Sequence, residues 1–152
     1  MAFKLTIAAF ADGAPIPRLH TCEGADLSPA VEWTGEPSGT RSFALIVDDP
    51  DAPVGTWNHW LLYDVPAGTH ALPQGYKPAR PVLCGTNDFG RTNYGGPCPP
   101  RGNGPHRYFF KLYALDVQSL KLSSGARRRD IDRAIHGHIL GEAQYMGRYE
   151  RR

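Results

Sequence analysis

The chain has 152 residues and a formal charge of +2, long enough for one sizeable core and too nearly neutral to argue for a nucleic-acid partner. Its apolar fraction of 41% excludes a disordered chain, and 17 Gly with 14 Pro favour turns and rigid loops over long helices. No apolar run approaches the ~18 residues of a membrane span, so no integral membrane association is expected. The basic clusters Arg127–Arg129 and Arg148, Arg151 and Arg152 read as solvated faces or tail.

At the N-terminus, Phe3, Leu5, Ile7 and Ala9 alternate with Lys4 and Thr6, which predicts a first strand over 3–9. A signal peptide fits less well, because Thr6 interrupts the apolar run and only Lys4 supplies charge; the chain is therefore expected in the cytoplasm. Cys22, Cys84 and Cys98 form no paired framework and no Cys-x-x-Cys, so reduced thiols are expected. Further strands are predicted over 29–33, 42–48, 58–65 and 106–115, joined as an antiparallel sheet. Residues 42–47 are apolar on both faces and so belong to a central strand covered on two sides. Loops 66–81 and 85–105 are long and rich in Gly and Pro, a pattern that tends to carry function. From about 127 to 146, Ile131, Ala134, Ile135, His138, Ile139 and Ala143 recur at helical spacing. Ser123 or Ser124 would cap that helix, which would cover one face of the sheet. His136 and His138, two apart, do not share a helix face and read as structural. With no repeat and no linker, residues 1–152 read as a single domain.

The densest polar segment, residues 48–60, links two predicted strands. An antiparallel connection brings the facing strand ends together, so Asp49 is expected near His59. On strand 58–65, alternation places His59, Leu61, Tyr63 and Val65 on one face; on strand 106–115 it groups His106, Tyr108, Phe110, Leu112 and Ala114. A histidine and a tyrosine at the mouth of an apolar face are costly unless hydrogen-bonded, which suggests a polar floor at the sheet end. A nearby carboxylate would favour protonated imidazoles, and these with a phenol would donate to an anion such as phosphate. The same residues also read as a satisfied structural network, and spacing alone leaves both open.

The segments Asp49-Pro-Asp-Ala-Pro53, Trp57-Asn-His59 and Gly104-Pro-His-Arg-Tyr108 resemble the signature of the phosphatidylethanolamine-binding protein family, also called Raf kinase inhibitor-like proteins. Thr21-Cys-Glu-Gly24, Leu27-Ser-Pro29, Gly95-Gly-Pro-Cys-Pro-Pro100, Gly137-His-Ile-Leu140 and Gly147-Arg-Tyr149 resemble its bacterial-type branch. The resemblance implies a mostly β fold: a large antiparallel sheet, a second smaller sheet and a helix in the C-terminal region. It implies a preformed pocket for phosphate-like groups lined by Asp49, Pro53, Trp57, His59, Pro100, His106 and Tyr108, with Asp51 and Arg107 as a supporting ion pair. It further implies a cis peptide at Ala52–Pro53 and a homodimer. The sequence stops at Arg152, short of the extra C-terminal helix of animal members, so the pocket is expected to be more open, and kinase inhibition is not carried over. The expected partner is a small phosphorylated or anionic ligand, with no cofactor. Two other readings stand beside it: a hydrolase using Asp49 and His59 as an acid–base pair with Cys98 as nucleophile, or a metal site of two histidines and one carboxylate.

Overall fold

In a computed structural model of residues 2–152, strand β3 (Ser42–Asp49) is buried along its whole length. Its two faces are covered by different partners, as its unbroken apolar run requires. Towards one side, Phe43, Leu45 and Val47 pack with Trp60, Leu62, Phe110, Leu112 and, from the smaller sheet, Trp33. Towards the other, Ala44 and Ile46 pack with Leu61, Tyr63, Leu115 and the helix residues Ile131 and Ile135.

The smaller sheet holds β1 (Lys4–Thr6), β2 (Val31–Thr34) and β5 (Ala71–Leu72), in the order β1-β2-β5. The larger holds β4 (Trp57–Pro66), β6 (Leu83–Cys84), β7 (His106–Leu115) and β8 (Ile139–Tyr149) with β3, in the order β6-β4-β3-β7-β8. Every strand pairing is antiparallel. The expected mostly β architecture, two sheets and one helix in the C-terminal region, is borne out.

Several local expectations are corrected. The helix α1 covers only Arg128–Ile135, and residues 139–149, read as its continuation, form β8 instead. Gly137 at φ +83° breaks the helix, and pairing with β7 then satisfies the backbone from His106↔Tyr149 to Leu115↔Ile139. Neither Ser123 nor Ser124 caps α1; the Asp130 carboxylate accepts the Arg127 amide at 3.4 Å. The first strand ends at Thr6, although Ile7 and Phe10 still reach the core. The one cis peptide among the described residues is Arg80–Pro81, so Ala52–Pro53 is trans.

The cysteines are the largest correction. Cys22 and Cys98 form a disulfide, with Cα atoms 5.4 Å apart across 76 residues of sequence. Both lie in Gly/Pro-rich loops whose meeting depends on the whole sheet, so spacing gave no sign of it. Cys84 is the free cysteine; burial pushes its thiol up to about 11, so it stays protonated and inert.

Candidate functional site

β4 carries an extra residue where it meets β3. Val47 pairs with Trp60 and Asp48 with Asn58, which leaves His59 without a partner. Such a bulge puts two consecutive side chains on one side of the strand. His59 therefore does not share a face with Leu61 and Tyr63, as strict alternation predicted; those two pack beneath α1. His59 instead meets Tyr108 of β7 edge to face, with ring centroids 5.1 Å apart. The long loop between β6 and β7 fixes it there. The Gly95 amide and the Asn87 side-chain amide donate to the His59 carbonyl at 3.0 and 3.2 Å. The Gly95 carbonyl accepts from the ring Nδ1 at 2.7 Å.

The structure gathers all seven sequence-selected pocket residues around one cavity of about 270 Å³ at the end of the large sheet. Asp49 closes β3, Trp57 and His59 open β4, His106 and Tyr108 open β7, and Pro53 and Pro100 come from the loops. Sequence reasoning missed Ala52, Val54, Phe89 and Pro99, which also line it, and named Cys98, a further wall residue, only as the nucleophile of the hydrolase reading. Phe89 was the hardest to foresee. It is presented by Asn87, whose buried side chain accepts the Phe89 and Arg91 amides and donates to the Asn93 carbonyl. A buried Asn organising its own loop is the signal that was available. The polar lining is confined to Asp49, His59, His106 and Tyr108; the remaining walls are apolar side chains and the bridged Cys98.

The polar groups pair differently from the expectation. Asp49 bonds to His106, not His59: Oδ2 accepts from Nδ1 at 2.7 Å, with both side chains almost fully buried. The other Asp49 oxygen accepts the Asp51 amide at 2.7 Å. The second His106 nitrogen, Nε2, faces Asn103 Oδ1 at 2.6 Å, so both its ring nitrogens are held by protein oxygens. Asp51 and Arg107 do form the expected pair, two parallel bonds of 2.9 Å, and the Asp51 carboxylate also accepts the Arg107 amide. That guanidinium holds the Asp51 carboxyl down to about 2. The pair ties the loop after β3 to the first turn of β7.

His59 is driven the opposite way from the sequence expectation. Desolvation beside Tyr108 and Phe89 lowers its proton affinity, and the Gly95 carbonyl bond and, less strongly, the Asp49 charge only partly offset this. His59 is thus neutral at pH 7, with Nδ1 donating to Gly95 and Nε2 left as an acceptor. A stability effect follows. An unfolded imidazole takes up its proton near ~6.5, whereas folded His59 resists to lower pH. Below ~6.5 the unfolded state binds more protons, so folding stability falls with acid and levels off above that pH. In urea titrations at pH 5.0 and 7.5, His59→Gln is expected to lose less stability on acidification than wild type. Equal losses would show that His59 is not the group resisting protonation.

Residues 6–150 match the family model described as phosphatidylethanolamine-binding protein. The chain belongs to that family. A relative from Aquifex aeolicus, named only "UPF0098 protein", is 50% identical over 147 residues, covering 94% of this chain and 85% of its own. The crystal structure of Escherichia coli YbcL, described as a new member of the mammalian PEBP family, superposes with TM-score 0.93 at 33% identity and full coverage of both chains. That of a Chlamydia trachomatis homologue of phosphatidylethanolamine-binding protein gives TM-score 0.92 at 36% identity over 99% of each chain. The family therefore accounts for the two-sheet architecture and for the in-order motifs, whereas the bond pattern inside the cavity is this chain's own geometry.

Proposed function

We propose that this chain binds a small phosphate-bearing ligand of the phospholipid head-group kind in the Asp49–Tyr108 cavity. The observation that carries the reading is Tyr108: the residue lines the cavity, and its buried hydroxyl has no hydrogen-bond partner. An orphaned buried hydroxyl costs about 1–3 kcal/mol, which a ligand acceptor would recover. Burial and the nearby carboxylates Asp49 and Asp51 hold the phenol far above its usual range, so it stays a donor. His59 Nε2 supplies the complementary acceptor. A fitting ligand therefore carries an anionic oxygen for Tyr108 and an O–H or N–H for His59, as a singly protonated phosphomonoester or a phosphate beside an ammonium does. The apolar walls Pro53, Val54, Trp57 and Phe89 suit a short hydrocarbon arm. The two protonated imidazoles first expected are replaced by one neutral imidazole and one phenol.

The competing readings gain no support. The sulfur of Cys98 is in a disulfide and is no thiol nucleophile, and Asp49 is engaged by His106 in place of His59. Among the described residues no group of three or more His, Cys, Asp or Glu is placed to hold a metal ion. No described helix is long and apolar enough to cross a membrane. The bridge replaces the expected reduced thiols and favours an oxidising setting over the cytoplasm expected from the poor signal-peptide pattern. The homodimer implied by the resemblance is retained as a proposal; a monomer mass in concentrated light scattering would remove it.

The test is calorimetric titration of phenyl phosphate into wild type and Tyr108→Phe. Losing one bond to a charged acceptor, about 1.5–3 kcal/mol, should weaken binding roughly 10- to 150-fold. The free variant should melt no lower than wild type, because an unsatisfied hydroxyl has been removed. Unchanged affinity would refute the reading.

A further inference from the structure

The Cys22–Cys98 bridge lies where the fold does not need it for core packing but where the cavity does need a wall. Cys98 lines the cavity, flanked by Pro97 and Pro99, and Cys22 lies on the exposed loop opposite. The two strips also touch through hydrogen bonds from the Cys22 amide to the Pro97 carbonyl at 3.1 Å, from the Gly96 amide to the Asp26 carboxylate at 2.9 Å and from the Tyr94 hydroxyl to the His20 carbonyl at 2.7 Å. Beyond Cys98 the wall is tied to the C-terminal segment: Arg151 Nε donates to the Pro99 carbonyl at 2.6 Å. Reduction would therefore free the Cys98 side chain in the cavity wall while those hydrogen bonds to its flanking prolines persist.

We propose that the cystine is a thiol–disulfide exchange site for a dithiol reductant, and that its redox state sets the cavity wall. Exposed disulfides are the labile ones, and here Cys22 is exposed and Cys98 half-buried. A thiolate of the dithiol attacks Cys22 Sγ and the Cys22–Cys98 bond breaks. Cys98 leaves as a thiolate into the cavity and takes a proton from water. The second thiol of the reductant, as thiolate, displaces Cys22 from the mixed disulfide. The dithiol ends as a cyclic disulfide and the chain as two thiols, two electrons having moved. Cys84 takes no part, since it is buried and its thiol is held up to about 11. The ligand-coupled part of the proposal rests on the head-group reading above. By linkage, a ligand that prefers the bridged wall must make the bridge harder to reduce by the same factor.

The experiment treats the folded chain with dithiothreitol and then iodoacetamide, in native buffer. Cys22 and Cys98 are expected to be alkylated and Cys84 spared, with the far-ultraviolet circular dichroism unchanged. Ring proton resonances of His59 and Tyr108 should shift on reduction without any ligand present. Phenyl phosphate should bind the reduced chain at least about fivefold more weakly, the low end of coupling between linked sites. At saturation it should move the midpoint potential about 20 mV more negative, since a tenfold change corresponds to about 30 mV for this couple. The double variant Cys22→Ser, Cys98→Ser should bind as the reduced wild type does and ignore dithiothreitol. A bridge that yields only in denaturant, unfolding on reduction, or unmoved His59 and Tyr108 resonances would each overturn the proposal. If phenyl phosphate binds neither redox form, the head-group reading is what fails, and the ring resonances still decide this one.

Discussion

The double variant Cys22→Ser, Cys98→Ser is expected to be about 4 kcal/mol less stable than the oxidised wild type. The chain-entropy account assigns about 3 kcal/mol to a 15-residue loop and 4.7 to a 100-residue loop, and this bridge spans 76 residues. For a chain of 152 residues each kcal/mol moves the melting temperature by about 2–4 °C, so a drop of roughly 10 °C should appear in thermal unfolding. Domains commonly hold 5–15 kcal/mol, so the variant should still fold and bind weakly rather than fail outright. The measurement should be made by urea unfolding at equilibrium, with the reduced wild type alongside. A loss under about 1 kcal/mol would mean that the loops carrying Cys22 and Cys98 are held together by other contacts, and that the bridge constrains little in the unfolded chain.

The central sheet was legible because its signals are local. Strands 42–48, 58–65 and 106–115 announce themselves by unbroken or alternating apolar runs; the structure extends the first by one residue at its C-terminal end and the second by one at each end, and leaves the third unchanged. β8 was misread for a physical reason. Ile139 and Ala143 continue the helical spacing of Ile131 and Ile135, but they are four apart, a spacing that is also even and so equally consistent with one face of a strand. The deciding facts, alternation of buried Ala143 and Gly147 with exposed Glu142, Gln144 and Arg148, favour period two. Gly147 also sits where a Cβ would lie 2.4 Å from Ile16, a fit that no periodicity reveals. The set of pocket residues was legible from their motifs, but their partnership was not. Which carboxylate meets which histidine depends on the bulge at His59, and a bulge is a property of two strands in register rather than of one. Likewise Cys22 and Cys98 meet only after loops from opposite halves of the chain have been folded onto one sheet end.

The buried Asp49–His106 pair sets the second large effect. Asp49→Ala should cost about 3–5 kcal/mol, the range for breaking a buried pair by removing one partner. Two groups are abandoned by that change: His106 Nδ1, 2% exposed as a side chain, and the Asp51 amide that donates to Asp49 at 2.7 Å. The second loss loosens the loop that carries Pro53 and Val54 into the cavity. Asp49→Asn keeps one oxygen for one of the two donors and should fall between wild type and Asp49→Ala. The double variant Asp49→Ala, His106→Phe should lose less than the sum of the single losses, because neither partner is then left buried alone. Binding should separate this pair from Tyr108. Both Asp49 oxygens are already engaged inside the protein, so Asp49→Asn should change phenyl phosphate affinity by only a few fold while stability drops. Tyr108→Phe should do the reverse. Urea unfolding and calorimetric titration on the same preparations read both quantities. An Asp49→Asn protein of wild-type stability that no longer binds phenyl phosphate would make Asp49 a direct contact of the ligand, and the division of labour between positioning pair and contacting pair would have to be abandoned.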